Sequence, residues 1–391
     1  MRWMADRRAF AMRSALAMVL AVAASAGLAG LTPAASQTSG EAALQALIDQ
    51  AKKEPNAIDG SMTRVLLATL PLIKKANQMF NTRFGLNKTF SIVEGTDNTF
   101  TTQMMASLDM GASARLAFYT TNGSDMPSFI DSGYVAEIKD WQLLLAEINP
   151  RVKSGAVKPS DISRTGYMGY AFAHSNRLKA VGYNKNTASP ETLPRSYAEM
   201  ADPKYKGQYA IEPWLSHWQA LGYNYFPDRL DEALQIFEAI GKNAYVVSRS
   251  HQLNPRMAQG EFKFMTLNAE VVTDFVSQNP GAPLDFYFMN DMTLVETTLM
   301  FVPRKGPAPA TGALWVMYLS HPDIQAMRGP DAPNIMYGEL ENDKSMMKRL
   351  EGKHIFDWQL NESTTKYWQW VNSDAAKDFR AKMQAAILQR R

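Results

Sequence analysis

Residues 181–214 read VGYNKNTASPETLPRSYAEMADPKYKGQYAIEPW, and the punctuation of this stretch decides the fold class. The run KAVGYN is apolar enough for a strand, and SPETLP then breaks it with two prolines. SYAEMAD has a short helical pattern, PKYKG is a basic turn bracketed by Pro and Gly, and QYAIEP is a second strand. Strand, loop, helix, turn, strand is an α/β unit.

The same alternation continues outward on both sides. Towards the N-terminus, 41–53 carries Leu44, Leu47, Ile48 and Ala51 at helical spacing. AIDGSM (57–62) is a weakly apolar segment in a strand's place, and a helix is expected from Thr63 to about Phe84, with Val65, Leu66, Leu70, Ile73 and Phe80 inward. Strands are expected over 88–95, 114–121 and 134–138, and helices over 100–110 and 127–132. Towards the C-terminus the pattern predicts a helix over 230–241 and strands over 244–247, 262–268, 283–289 and 297–303. A Pro-marked turn and buried helix follow over 306–325, and 366–389 reads as an amphipathic closing helix with Trp368 and Trp370. Strands alternating with helices imply a mainly parallel sheet covered on both faces.

Length and composition fit that class: 391 residues, 46% hydrophobic and 20% charged, suit a folded chain of about two domains. Residues 1–36 differ in kind. Arg2, Arg7, Arg8 and Arg13 flank or precede the uncharged run 14–31, and Pro33, Ala34, Ala35 and Ser36 follow. This is the layout of a secretory signal peptide. The run is mostly Ala and Gly, which argues against a retained membrane anchor. Arg7-Arg8-Ala9-Phe10 also fits the twin-arginine pattern, so the export route stays open between the two systems. Without 1–36 the chain loses four Arg and one Asp from its 41 basic and 38 acidic residues, leaving 37 of each. A neutral mature chain has nothing to attract nucleic acid or an anionic membrane. Cysteine is absent, which excludes disulfides, thiolate chemistry and a lipidated N-terminal Cys.

Catalytic constellations are missing too. His174, His217, His251, His321 and His354 are scattered, and no metalloprotease, serine-hydrolase, dinucleotide or phosphate-loop motif occurs. No metal ligand set and no cofactor is expected. Short polar residues do recur at strand-to-helix junctions: Ser61 and Thr63, Thr96 and Asp97, Thr121 and Asn122, Trp214 and Ser216, Ser250, and Asn268 at a strand end. In open α/β sheets ligands bind at such carboxyl ends, although the same residue types also serve as helix caps.

The block that opens with Tyr183-Asn184 and runs through Leu193-Pro194, Asp202-Pro203, Tyr205-Lys206-Gly207 to Pro213 resembles type 2 periplasmic solute-binding proteins of ABC importers. The Ala-rich string over 306–325, ending in Ser320 and Gln325, is similar to the family at the corresponding place. The resemblance covers about 169–325, with looser support from 41–138. It implies two lobes, each a mainly parallel sheet flanked by helices, joined by crossover strands near 173–183 and 297–303. Lobe one would take 41–178 and 300–340 and lobe two 179–298, with the helices of 341–391 unassigned. A small polar or organic-anion solute would be captured between the lobes and delivered to permease subunits in the periplasm by a monomer. The resemblance also puts His174, Ser175, Asn176 and Arg177 at the mouth between lobes, with Arg177 either forking a carboxylate or solvated. It puts Asn290-Asp291-Met292-Thr293 on a ligand-touching loop, and leaves Tyr167 and Tyr170 as stacking or core residues. The ferric branch of the family uses two adjacent tyrosines after a Gly–acid pair. Here Gly260-Glu261 is followed at that distance by Glu270-Val271, and no Tyr-Tyr pair exists. Ferric-ion or metal-complex binding on the same fold, a sensory or chaperone adaptor, and an exported enzyme remain as alternatives, the last against the residue evidence.

Overall fold

The computed structural model describes residues 39–62, 70–94, 97–123, 125–163, 167–212, 215–225, 229–247, 253–327, 344–357, 366–367, 370–371 and 373–388. The chain enters through the helix Gly40–Lys53, which starts where the Ser39 side chain accepts a hydrogen bond from Ala42 N. Glu41 in its first turn and Lys52 and Lys53 in its last complement the helix dipole. Strand β1 (Ala57–Met62) then pairs in parallel with β2 (Thr89–Glu94), from Ala57 opposite Thr89 to Met62 opposite Glu94. The weakly apolar AIDGSM is therefore a strand. Its seat depends on Gly60, where an added Cβ would stand 2.0 Å from the Phe118 ring. The backbones also lock there: Ala117 N donates to Asp59 O and Ser61 N to Phe118 O.

Two expected strands come out shorter. Over 114–121 the ladder begins only at Tyr119, because 114–118, buried apart from Arg115, is bent, with Leu116 N donating to the Tyr119 hydroxyl. The stretch 134–138 is reduced to a single bridge between Val135 and Pro303, held by Ala136 N donating to Val302 O and Arg304 N to Tyr134 O, and beyond it Ile138 N donates to Gly169 O instead. The helix expected from Thr63 is described from Leu70 to Phe84; residues 63–69 lie outside the described residues.

Two long strands run through the middle of the molecule, β4 (Ala171–Asn184) and β9 (Thr293–Phe301), paired antiparallel from Ala171 opposite Phe301 to Leu178 opposite Val295. On one side β3 (Tyr119–Asn122) joins β9. On the other, β7 (Phe264–Asn268) and β8 (Leu284–Tyr287) join β4 antiparallel. β5 (Tyr209–Ile211) lies parallel to β7 and to β6 (Tyr245–Val246), and β10 (Ile355–Asp357) parallel to β9. Pairing among β3, β4, β7, β8 and β9 is thus antiparallel, while β1 with β2, β5 with β6 and β7, and β10 with β9 are parallel.

The core is divided along those strands. One apolar cluster gathers residues from Ile48 to Ala173 and from Leu299 to Ile324, around Trp315, Phe80, Phe90 and Phe118. Two further clusters hold Leu178 to Val295 together with the C-terminal Met346, Leu350, Phe356, Tyr367, Phe379, Met383 and Ile387. The closing helix starts later than its periodicity suggests, at Asp374, because Ser373 caps it by accepting from Ala376 N. It lies against the helix Leu230–Asn243, close enough at Gly241 that a Cβ would be 2.5 Å from Ala386 O. Among the described residues no helix is long and apolar enough to cross a membrane.

A candidate ligand-binding cleft at the crossing strands

Between the clusters both long strands change character. β4 carries His174, Ser175, Asn176 and Arg177 in succession, and β9 carries Glu296, Thr297 and Thr298, where either strand would otherwise continue as Leu, Val or Ala. All are buried except Arg177, which is half-buried. The register shifts between Ala173 and Ser175, so His174 is the extra residue of a bulge, a device that re-aims side chains. Past the bulge Ser175 faces Thr298 and Arg177 faces Glu296. Strand alternation puts Ser175, Arg177 and Lys179 on one face. Behind them Thr297 Oγ1 donates to Asn176 Oδ1 at 2.6 Å.

The carboxyl ends of strands from both sides converge on this polar band. β3 ends at Asn122, in register with Thr298. β1 ends beside it, with Thr120 Oγ1 donating to Ser61 O at 3.0 Å. β7 ends at Asn268, opposite Lys179, and Glu212, just past β5, brings its carboxylate 3.7 Å from Lys179 Nζ with both side chains buried. The helix Ala269–Gln278 starts directly from Asn268, and Leu215–Tyr225 starts three residues beyond Glu212. Convergent strand ends backed by helix starts form the ordinary ligand crevice of an α/β sheet.

The electrostatics of the wall are those of groups removed from water. Burial pushes the Glu270 carboxyl up to about 7, against the opposing pull of the nearby Arg177 cation. Burial, helped by the charge of Lys179, holds the His217 imidazole well below its usual range, so it is neutral at pH 7. His217 Nε2 lies 3.2 Å from the Tyr197 hydroxyl, whose ionisation burial pushes far up.

Of the residues singled out in the sequence, Ser61, Asn122, Ser175, Arg177 and Asn268 are brought together by strand register. Thr121 neighbours them but faces the other way, opposite Leu299, with its hydroxyl 3.4 Å from Asp125 Oδ2. Asp97 opens the helix Asp97–Asp109 and Ser216 is the second residue of its helix. Thr63, Thr96, Trp214 and Ser250 lie outside the described residues. Asp291 is elsewhere: it precedes β9, and its carboxylate accepts from Tyr197 N at 2.6 Å and Met292 N at 3.0 Å. Those bonds anchor the start of the short helix Tyr197–Met200, and five residues of extended chain, roughly 17 Å, separate Asp291 from Glu296. Tyr167 packs in the first cluster, and the Tyr170 hydroxyl is 3.4 Å from Glu137 Oε2. Sequence reading missed Lys179, Glu212, Glu296, Thr297 and Thr298, and had His217 only as one of five scattered histidines and Glu270 only in the place of the ferric branch's tyrosine pair. The available signal was the polar interruption itself, HSNR within AFAHSNRLKAVGYN and ETT within TLVETTLMF. Among the described residues no group of three or more His, Asp or Glu is placed to hold a metal ion.

The α/β core is thus divided, and its two long strands turn polar where the parts meet. Residues 75–331 match the family described as bacterial extracellular solute-binding protein, and the chain belongs to that family. Solved structures agree on the fold. The substrate-binding protein of an ABC transporter from Agrobacterium tumefaciens superposes with TM-score 0.64 at 15% identity, over 86% of this chain and 95% of that one. Iron-bound HitA from Pseudomonas aeruginosa gives 0.58 at 12% identity, over 82% of this chain and 100% of its own. The spermidine/putrescine substrate-binding protein PotD from Streptococcus pneumoniae also gives 0.58 at 12%, over 84% and 100%. These are type 2 periplasmic-binding-protein folds, and that is the fold of this chain. No curated protein matches it.

Proposed function

We propose that the chain is the exported solute-binding component of an ABC importer, which closes on a small solute at the crossing strands and hands it unchanged to permease subunits. The observation that carries this reading is the buried polar band at His174–Arg177 and Glu296–Thr298, set where the apolar clusters part and where strand ends converge. On this reading lobe one comprises 41–178 and 300–340 and lobe two 179–298, with the C-terminal segment attached to the second by Met346, Phe356 and Phe379. β4 and β9 are then the hinge, and contacts to both lobes favour the closed form. Residues 1–36 act as a signal that sends the chain to the periplasm, where it works as a monomer. Solute, not substrate turnover, is the business of the site: the buried His217 is neutral and paired with Tyr197 rather than with a nucleophile. The ferric reading loses support from the sequence, which has Glu270-Val271 in place of the tyrosine pair. Thermal denaturation of the purified protein against a broad solute library tests the proposal. A cognate solute raises the melting temperature without being consumed; turnover of any library compound contradicts the reading.

A further inference from the structure

Two kinds of buried group at the crossing await a partner. Neither carboxylate oxygen of Glu270 has a hydrogen-bond partner on another described residue, although Glu270 is only 2% exposed. Asn268 Oδ1, two positions earlier at the start of the same helix, is also without one. Ser175 Oγ and Thr298 Oγ1, opposite each other on β4 and β9, are buried and likewise unmatched. Carboxylate and amide oxygens can only accept, and the two hydroxyls can accept or donate. The unmet demand is therefore for donors. A buried acceptor left unsatisfied is destabilising, so a cluster of them is the mark of a site that a donor completes.

Charge points the same way. Lys179 has Glu212 at 3.7 Å, and Arg177 faces Glu296 across the ladder. Among the described residues the wall carries two cations, Arg177 and Lys179, against three acids, Glu212, Glu296 and Glu270. His217 adds no charge, and Asp274, one turn along the helix from Glu270, adds a negative one. Among its described residues, the wall that the sequence offered as a seat for an organic anion, through Arg177, carries an acid in excess.

We propose that the cleft takes a solute bearing a primary ammonium or guanidinium group, seated against Glu270 and Asn268, with Ser175 and Thr298 receiving its remaining polar groups. This rests on the solute-binding reading and narrows it. A donor-rich cation satisfies three acceptor atoms at once and neutralises the excess acid. It also holds Glu270 ionised, so binding at neutral pH releases a proton that the empty site retains. The groups that face Glu270 and set that exchange are Arg177 and Lys179 on β4 and Asp274 on its own helix.

The test uses the full mature chain and a library of amines, guanidines, carboxylates and sugars, followed by calorimetric titration of each solute that raises the melting temperature. Amines or guanidines are expected to give the shifts. Glu270→Gln, which keeps the side chain's shape and suits a buried site, is expected to weaken the best of them at least thirtyfold. Asn268→Ala serves as a second, milder variant and should weaken it several-fold. Wild-type affinity should also rise as pH increases from 6 to 8, and the Gln variant should lose that rise. Hits confined to carboxylates or sugars, or an amine bound equally by the Gln variant, overturn the cation assignment and leave solute binding standing. A library without any hit overturns both.

Discussion

At the residue scale the molecule places single side chains where several backbone groups depend on them. Glu54 is the clearest case: its carboxylate accepts from Ala310 N, Thr311 N and Thr311 Oγ1 at 2.6–2.7 Å and so caps the helix Pro309–Tyr318. Glu54→Ala removes a charged cap and strands buried donors, and should cost about 2 kcal/mol, read as a lower urea midpoint with unchanged slope. Glu270 works in the opposite sense. Its folded pKa of about 7 lies above the ordinary 4.5, so the folded state binds more protons than the unfolded one between those values. Stability therefore falls as pH rises from about 4.5 to about 7 and is flat above, by up to roughly 3 kcal/mol. Asp291, raised by burial from 3.8 to about 6, adds a loss of the same sign in its own lower window. Glu270→Gln should flatten the upper part of the profile and melt higher than wild type at pH 8 without solute. An unchanged profile would mean that Glu270 stays ionised in the fold. None of this was legible in the sequence. Lys179, Glu212, His217, Glu270 and Glu296 come from separate segments, and only the crossing of β4, β5, β7 and β9 makes them neighbours.

At the element scale, local pattern was a good guide wherever one segment decides its own structure. The strand–loop–helix–turn–strand unit from Val181 appears as β4, the short helix Tyr197–Met200 and β5, because Pro and Gly fix its corners. Pattern failed where pairing partners decide. The mostly apolar 114–118 bends because its backbone serves β1 and Lys305 O rather than a ladder, and 134–138 leaves its partner for Gly169 O. The helix Ala269–Gln278 escaped notice because AEVVTDFVSQ is short and continues directly from a strand. β1 shows the reverse, a strand with little apolar pattern that is secured by its neighbour's ring. Gly60→Ala forces a methyl into Phe118 and should cost about 1–3 kcal/mol. Hydrogen exchange locates the damage: amides of β1 and β2 should exchange faster, while those of β5 and β7 keep their protection. Uniform loss across both sets would mean that the clusters do not respond separately.

At the scale of the whole molecule, the fold class followed from alternation of strands and helices, while the division of the core did not. It rests on long-range pairing of β4 with β9 and on three apolar clusters that change over between Ala173 and Leu178 and between Val295 and Leu299. The C-terminal segment had no assignment in the sequence. It docks through Arg349, whose guanidinium pairs with Asp285 at 2.9 Å and lies over the Phe286 ring, and through the closing helix. A band of polar residues where two cores meet is a natural place for relative motion, since little apolar contact must be broken there. Small-angle scattering of the mature chain with and without a solute that raises its melting temperature tests this most directly. Our account expects the radius of gyration to fall on saturation, to the same degree for every stabilising solute. A stabilising solute that leaves the scattering curve unchanged would contradict closure about the crossing strands.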